Sequence, residues 1–308
     1  MTRLIHTGRP FFYLFSLLFL LNSCGNIIEE NQKDSIDSGT IYISADESFK
    51  PVIDSQIQVF EALHPQAKII SFYKPEAECV KDLGVDSIRM IIITRTFTQQ
   101  EENFIVDSFK LAPKSLVIAK DAVAVIVNPS SPDSLFTMNE IKQILTGRFK
   151  KNLIPIFDGT RATSTVRFAI DSILRGDTLT AQTMAAKNSE GVIDYVSKNP
   201  DAIGFVGVSW IGNHDDTTQM SFLKKVKMAY LESTDSLDSY LLPWQANIYY
   251  GRYPMIRDLF YILKEKSLGL GKGFANFLSG EPGQLIFKRA YLLPAQMNFT
   301  NRVTKLNE

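Results

Sequence analysis

Three short stretches of this chain place hydroxyl side chains, backbone N–H groups and arginines where a strand gives way to a helix, a combination suited to holding an anion. The first is Ser44-Ala45-Asp46-Glu47-Ser48-Phe49, the second Thr94-Arg95-Thr96, and the third Arg161-Ala162-Thr163-Ser164-Thr165-Val166-Arg167. The first N–H groups of a helix lack partners within it, and the helix dipole favours negative charge there, so such a junction can hold an oxyanion without a metal. Arg95 or Arg161 would add a planar fork suited to a tetrahedral oxyanion. Arg95 stands out because it follows the all-apolar Met90-Ile91-Ile92-Ile93 at its carboxyl end, where open α/β sheets place ligands. Each junction also has a plainer reading. Ser and Thr at helix starts commonly serve as caps, and most arginines, Arg161 and Arg167 among them, are solvated. Arg167 is expected to point away along its helix.

The elements that must position these loops alternate between strand and helix. Ile41-Tyr42-Ile43 reads as a strand, and Phe49, Val52, Ile53, Ile57, Phe60 and Leu63 predict an amphipathic helix with Ser48 as its N-cap. Residues 68–72 and 90–93 read as buried strands of the kind found in parallel sheets. Thr98 with Glu101, and Thr137 with Glu140, each fit a capping box. Strands are expected at 116–119, 122–128 and 203–206, and helices at 138–145 and from about Val166 and Glu190. Toward the end, Tyr253-Pro254 opens an apolar run and Lys272-Gly273 leads into Phe274, Phe277 and Leu278 at helical spacing. Ser279-Gly280-Glu281-Pro282 stops that helix and starts another, which closes against Tyr291-Leu292-Leu293-Pro294. The alternation predicts α/β layers with parallel strands.

Composition narrows the function classes. The 33 basic and 33 acidic residues balance with no long run of either sign, which argues against nucleic acid as a partner. Arg3 and Arg9 precede an apolar run from Phe11 to Leu21, right for a secretory leader and too short to span a membrane. Leu21-Asn22-Ser23-Cys24 resembles a bacterial lipobox, so Cys24 is expected to be the lipidated first residue of the mature chain, with 1–23 removed and 24–38 a polar tether. Beyond the leader and tether, roughly 270 residues remain, enough for two domains. Cys79 is then the sole cysteine of the body, so no disulfide can form within it. His64 and His214 are not at metal-ligand spacing from Cys79 or each other, and neither a metal nor a cofactor is expected.

From Gly39 to Pro294 the chain resembles the phosphate-binding substrate-binding lipoproteins of phosphate ABC importers. The C-terminal order from Tyr253-Pro254 to Pro294 matches their closing pattern, with Ala290 where they usually carry Gly. Thr163-Ser164-Thr165 followed by Phe168 sits where that family has S-G-T-x-x-F, and Thr94-Arg95 with Glu101 resembles S-R-x-L-x-x-x-E. Residues 121–128 look like their interlobe strand, Ile141-x-x-Ile144-x-x-Gly147 like I-x-x-I-x-x-G, and Ile203-Gly204-Phe205 like I-G-Y. The resemblance implies a type II periplasmic-binding-protein fold: two α/β lobes, mostly parallel sheets flanked by helices, with the ligand cleft between them. Lobe 1 is expected to comprise 39–121 and 248–308, and lobe 2 residues 122–247. It further implies inorganic phosphate as ligand, an ABC importer permease as partner, a lipid-anchored monomer in the bacterial envelope, and no catalysis. The implied phosphate contacts are Glu47, Ser48, Arg95, Thr163, Ser164 and Thr165, with Asp46, Glu78, Thr94 and Arg161 as further candidates.

Departures from the family pattern bear on the ligand. The central Gly of S-G-T is Ser164 here, and the Arg the family commonly carries four residues before it is replaced by Gly159, leaving Arg161 two residues away. Asp46, Glu47 and Glu78 would repel a dianion unless they accept a proton from it, which phosphate at neutral pH can supply and sulfate cannot. The alternatives are another oxyanion on the same fold, an envelope sensor or adaptor, or a hydrolase using these acids as a pair. No G-x-S-x-G, P-loop or helix-opening G-x-G-x-x-G is present to support an enzyme.

Overall fold

The alternating pattern is realised in a computed structural model that describes residues 34–296 apart from 111, 160–162, 266 and 267. The leader, Cys24 and Arg161 lie outside the described residues. The strands are β1 (Ser38–Asp46), β2 (Gln66–Lys74), β3 (Ile88–Ile93), β4 (Lys114–Val127), β5 (Leu135–Phe136), β6 (Ile154–Phe157), β7 (Met184–Ala185) and β8 (Ala202–Gly207). They are followed by β9 (Lys227–Met228), β10 (Tyr230–Glu232), β11 (Tyr240–Leu241), β12 (Ile256–Leu263) and β13 (Leu293–Pro294). The main sheet runs β2-β1-β3-β12-β4-β8-β6-β7, with β13 and β9 also pairing with β4. Its two arms are parallel, β1 with β2 and β3, and β6 with β7 and β8. The centre is antiparallel, because β12 lies against both β3 and β4 and β4 lies against β8.

β4 joins the two arms. Its stretch from Lys114 to Ala122 pairs with β12, and Val123 to Val127 pairs with β8. The two strands expected at 116–119 and 122–128 are therefore one. The charged Lys120-Asp121 between them reads as a break, but the ladder runs through it and sets Asp121 directly opposite Arg257.

The inner strands of each lobe, β3 and β8 among them, are buried on both faces, which explains their unbroken apolar runs. By contrast β2, expected to be buried at 68–72, lies at the end of the sheet with Phe72 40% exposed. Met90 and Ile92 face a cluster containing Phe60, Phe274, Phe277 and Phe287, whereas Ile91 and Ile93 face Cys79, Leu83 and Ile105. The first cluster forms because the helix Lys50–Leu63 lays Val52, Ile53 and Phe60 against helices Leu270–Ser279 and Glu281–Arg289. Phe60 meets the rings of Phe274 and Phe277 edge-on at 5.3 Å, an arrangement that adds about 0.5–1.5 kcal/mol per pair beyond area burial. In lobe 2, Val125 and Val127 face Phe157 and Phe205, while Ala124 and Ile126 face Val192 and Val196. Ile248, Tyr253 and Met255, placed by the expected boundary at 248 in lobe 1, pack in this second core, as does Leu293.

Both expected capping boxes form, at Thr98 with Glu101 and at Thr137 with Glu140. Ser48, expected as an N-cap, is not one: Asp46 accepts from the Ser48 N–H at 2.8 Å and caps the short 3₁₀ turn Glu47–Phe49, leaving the Ser48 hydroxyl available. The end of the expected tether is also docked. The Asp34 carboxylate pairs with Arg89 and accepts from the Leu270 N–H, so the folded body begins before Gly39.

Candidate functional site

The carboxyl end of β1 and the residues after β6 converge on one buried cluster. Asp46 is 1% exposed and Ser48 fully buried. The Ser48 hydroxyl donates to Asp158 Oδ2 at 3.0 Å and lies 3.4 Å from both Ser164 Oγ and Thr165 Oγ1. Thr163 caps the short helix Ser164–Phe168, accepting from the Val166 N–H. That leaves the Ser164 N–H to donate to Asp46 Oδ2 at 3.3 Å and the Thr165 hydroxyl to donate to Asp158 Oδ2 at 3.3 Å. The Ser209 hydroxyl holds the Ser48 carbonyl at 3.0 Å, fixing the first loop from beneath.

A guanidinium completes the cluster, and it comes from β12. Arg257 Nη1 donates to Ser164 Oγ at 2.9 Å and lies 3.4 Å from Thr165 Oγ1, while its Nε donates to Asp121 Oδ2 at 2.8 Å. The group stacks 5.0 Å over the Phe49 ring. Gly207 makes room for it, since a Cβ there would stand 3.2 Å from Nη2. Burial alone would depress the Arg257 pKa, but Asp121, Asp46 and Asp158 together raise it.

The other expected contacts divide. Asp46, Ser48, Thr163, Ser164 and Thr165 are brought together. Glu47 lies alongside, but its carboxylate accepts from the Ser189 hydroxyl at 2.9 Å and from the Ser189 N–H. Arg95 turns away from the cluster, because the capping-box residue Glu101 offers it a two-pronged ion pair at 2.7 and 2.8 Å. That pairing with Arg95 holds the Glu101 carboxyl down at about 2. Glu78 sits on the exposed side of helix Glu76–Asp82. Thr94 serves Glu76 instead of the cluster, donating to it through both N–H and hydroxyl at 2.7 Å. Arg167, expected to lie along the helix surface, reaches across to the same Glu76 at 2.5 Å.

Sequence reasoning missed Arg257, Asp158 and Glu76. A signal existed for Arg257: a charged residue between Ile256 and Leu259 in a strand otherwise destined for burial needs a partner, and Asp121 is the matching charge in the other interlobe strand.

Among the described residues the charge count within the cluster is uneven, with one guanidinium, that of Arg257, facing Asp46, Asp121 and Asp158. Burial, with Glu76 and Asp158 adding to it against the pull of Arg257, pushes Asp46 up to about 6. Burial and Asp158 push Glu47 up to about 7, against the Ser189 hydrogen bonds. Burial raises Asp121 while Arg257 opposes it. A cleft of about 540 Å³ opens beside the cluster, lined by Asp46, Asp158 and Thr163 together with Lys50, Lys187 and Trp210. Hydroxyls, a guanidinium and proton-sharing carboxyls in one buried place can hold a partly protonated oxyanion.

The comparisons with known proteins agree with this architecture. The phosphate-binding protein PstS of Bacillus subtilis (strain 168) is 22% identical over 307 residues, covering 92% of this chain and 93% of its own. A proposed phosphate ABC transporter substrate-binding protein from Clostridium perfringens, solved with bound phosphate, superposes with a TM-score of 0.70 at 19% identity. That match covers 84% of this chain and 100% of the other. An ABC-type phosphate transport receptor from Vibrio cholerae superposes with a TM-score of 0.60 at 15% identity, over 82% of this chain and 99% of its own. A model of the PBP superfamily domain matches residues 31–281, most of the chain, and the two-lobed chain described above belongs to that superfamily.

Proposed function

We propose that this chain binds inorganic phosphate between its lobes and acts as the extracytoplasmic substrate-binding lipoprotein of a phosphate ABC importer. The observation that carries the reading is the convergence of the Ser48, Ser164 and Thr165 hydroxyls with the Arg257 guanidinium beside Asp46 and Asp158. Phosphate suits such a site because it brings both acceptor oxygens and a P–OH donor, whereas sulfate at neutral pH brings acceptors alone. The names of the Bacillus, Clostridium and Vibrio relatives support the same ligand. In this reading the phosphate contacts are Ser48, Ser164, Thr165 and Arg257, with Asp46 and Asp158 as proton-sharing acceptors. The lobes exchange the chain within β4 near Asp121 and again near Met255, and the hinge lies at those crossings.

Calorimetric titration of a phosphate-stripped soluble form beginning at Asn26 tests the ligand. Phosphate is expected to bind and sulfate to be excluded at pH 6.5 and 8, and absence of heat with phosphate at both pH values would defeat the reading.

Location follows from the leader and Cys24. Among the described residues no helix is long and apolar enough to cross a membrane, and attachment is assigned to lipid on Cys24. Cys24→Ser is expected to abolish incorporation of labelled fatty acid in cells, and full labelling of that variant would rule the anchor out.

A further inference from the structure

Helix Ser164–Phe168 is held against lobe 1 at two separate points. Its first residues meet Asp46, Ser48 and Arg257 in the cluster described above, where a bound anion would intervene. One turn on, Arg167 makes a contact that needs no ligand. Its Nε donates to Glu76 Oε2 at 2.5 Å, and its Nη2 donates to Thr94 Oγ1 at 2.7 Å and approaches Glu76 Oε1 at 3.4 Å. Glu76 is 2% exposed and also accepts the Thr94 N–H and hydroxyl, so both its oxygens are occupied and both point at groups fixed to lobe 1 or supplied by lobe 2. Burial works to raise the Glu76 carboxyl, yet Arg167 and Thr94 hold it below its ordinary value, so it stays charged.

We propose that Glu76 and Arg167 form a latch that joins the two lobes directly, whether or not an anion is bound, and thereby sets the rates of ligand entry and exit. The two residues act as positioning groups and do not touch the anion. The asymmetry of their environments makes the latch work. Arg167, with its side chain 30% exposed, can return to water at little cost, but Glu76 is buried and loses a charged partner when the lobes part. Opening therefore breaks a charge-assisted pair, and wherever water does not reach Glu76 it leaves a buried carboxylate without its cation. A second cross-lobe contact, Glu47 to Ser189, involves a carboxyl that burial pushes up to about 7, so it carries a full charge for only part of the neutral range. The Glu76 pair has no such dependence.

The latch rests on the two-lobed fold; the kinetic arm of its test and the contraction on adding phosphate rest on phosphate as the ligand, whereas the scattering contrast between proteins without ligand does not. Small-angle scattering of phosphate-stripped full-length protein in detergent, with its leader processed, compares wild type with Arg167→Ala and Glu76→Gln. Wild type is expected to scatter as a compact form whose radius of gyration barely changes with phosphate. Both variants are expected to expand without ligand and contract on its addition, and Arg167→Lys, which keeps the charge and loses the fork, should fall between. Stopped-flow mixing with phosphate should show association and dissociation both accelerated, on the order of tenfold, in the variants. A purely structural role would lower thermal stability without raising both rates. Wild type as expanded as Arg167→Ala, or identical scattering of all four proteins without ligand, would overturn the latch whatever the calorimetry says of phosphate. Failure to bind phosphate with the scattering contrast intact would overturn the ligand reading and leave the latch standing.

Discussion

Arg257→Ala is expected to remove detectable phosphate binding at micromolar protein, while Arg95→Ala leaves the titration close to wild type. Removing the one guanidinium in contact with a buried anion typically costs about 2–5 kcal/mol, roughly a 30- to several-thousand-fold loss of affinity. In the proposed site Arg257 is that guanidinium: it is 6% exposed, it reaches Ser164 Oγ at 2.9 Å, and among the described residues it is the cation hydrogen-bonded within the cluster, against Asp46 and Asp158. Arg95 already has its fork filled by Glu101. The variant has a second consequence, because Asp121 would be left buried without its partner, and breaking a buried pair costs about 3–5 kcal/mol of stability. Arg257→Ala combined with Asp121→Ala removes that orphaned charge. If the double variant melts near wild type and still binds phosphate at wild-type affinity, Arg257 is not the anion's partner.

How far the chain was legible depends on whether an element's determinants are local. The capping boxes at Thr98 and Thr137, the apolar strands and the Pro282 helix start are set within a few residues, and each forms where its pattern lies. Thr163, Ser164 and Thr165 were legible for the same reason, as a hydroxyl run at a helix start. Arg95 and Arg257 show the limit. Arg95 sits beside a ligand-like loop in sequence, but a carboxylate six residues on captures it, and nothing local reveals which acceptor wins. Arg257 lies 92 residues from Thr165 and reaches it only because β12 pairs with β4 in the register that puts Arg257 opposite Asp121. The cap role expected of Ser48 falls to Asp46 likewise, and the Ser48 hydroxyl instead donates to Asp158 across the cluster, both within a buried loop.

Phosphate affinity is expected to fall as pH rises from 6 to 8. Among the described residues Asp46 faces Glu76 and Asp158 against the positive charge of Arg257, and burial with those acids pushes its carboxyl up to about 6, with Glu47 next to it pushed up to about 7. An arriving anion adds negative charge beside these groups, which favours their neutral forms further. The complex therefore holds more protons than the free partners do, and linkage fixes the sign: binding is strongest where those protons are abundant and weakens as they are withdrawn. Each proton taken up costs up to about tenfold in affinity per pH unit above the free-state value, so the loss starts near pH 6 and continues through the neutral range. Phosphate's own protonation acts in the same direction, since the form with more P–OH groups can donate to Asp158 or Asp46 instead of repelling them. Asp46→Asn separates the two contributions: the amide cannot titrate, so the slope of affinity against pH should become shallower while the ligand's share remains. Isothermal titration of both proteins at pH 6, 7 and 8, in two buffers of different ionisation enthalpy, reads the affinity and the proton uptake directly. Affinity that climbs with pH, or proton release on binding, would mean that the acids of the cluster face away from the anion.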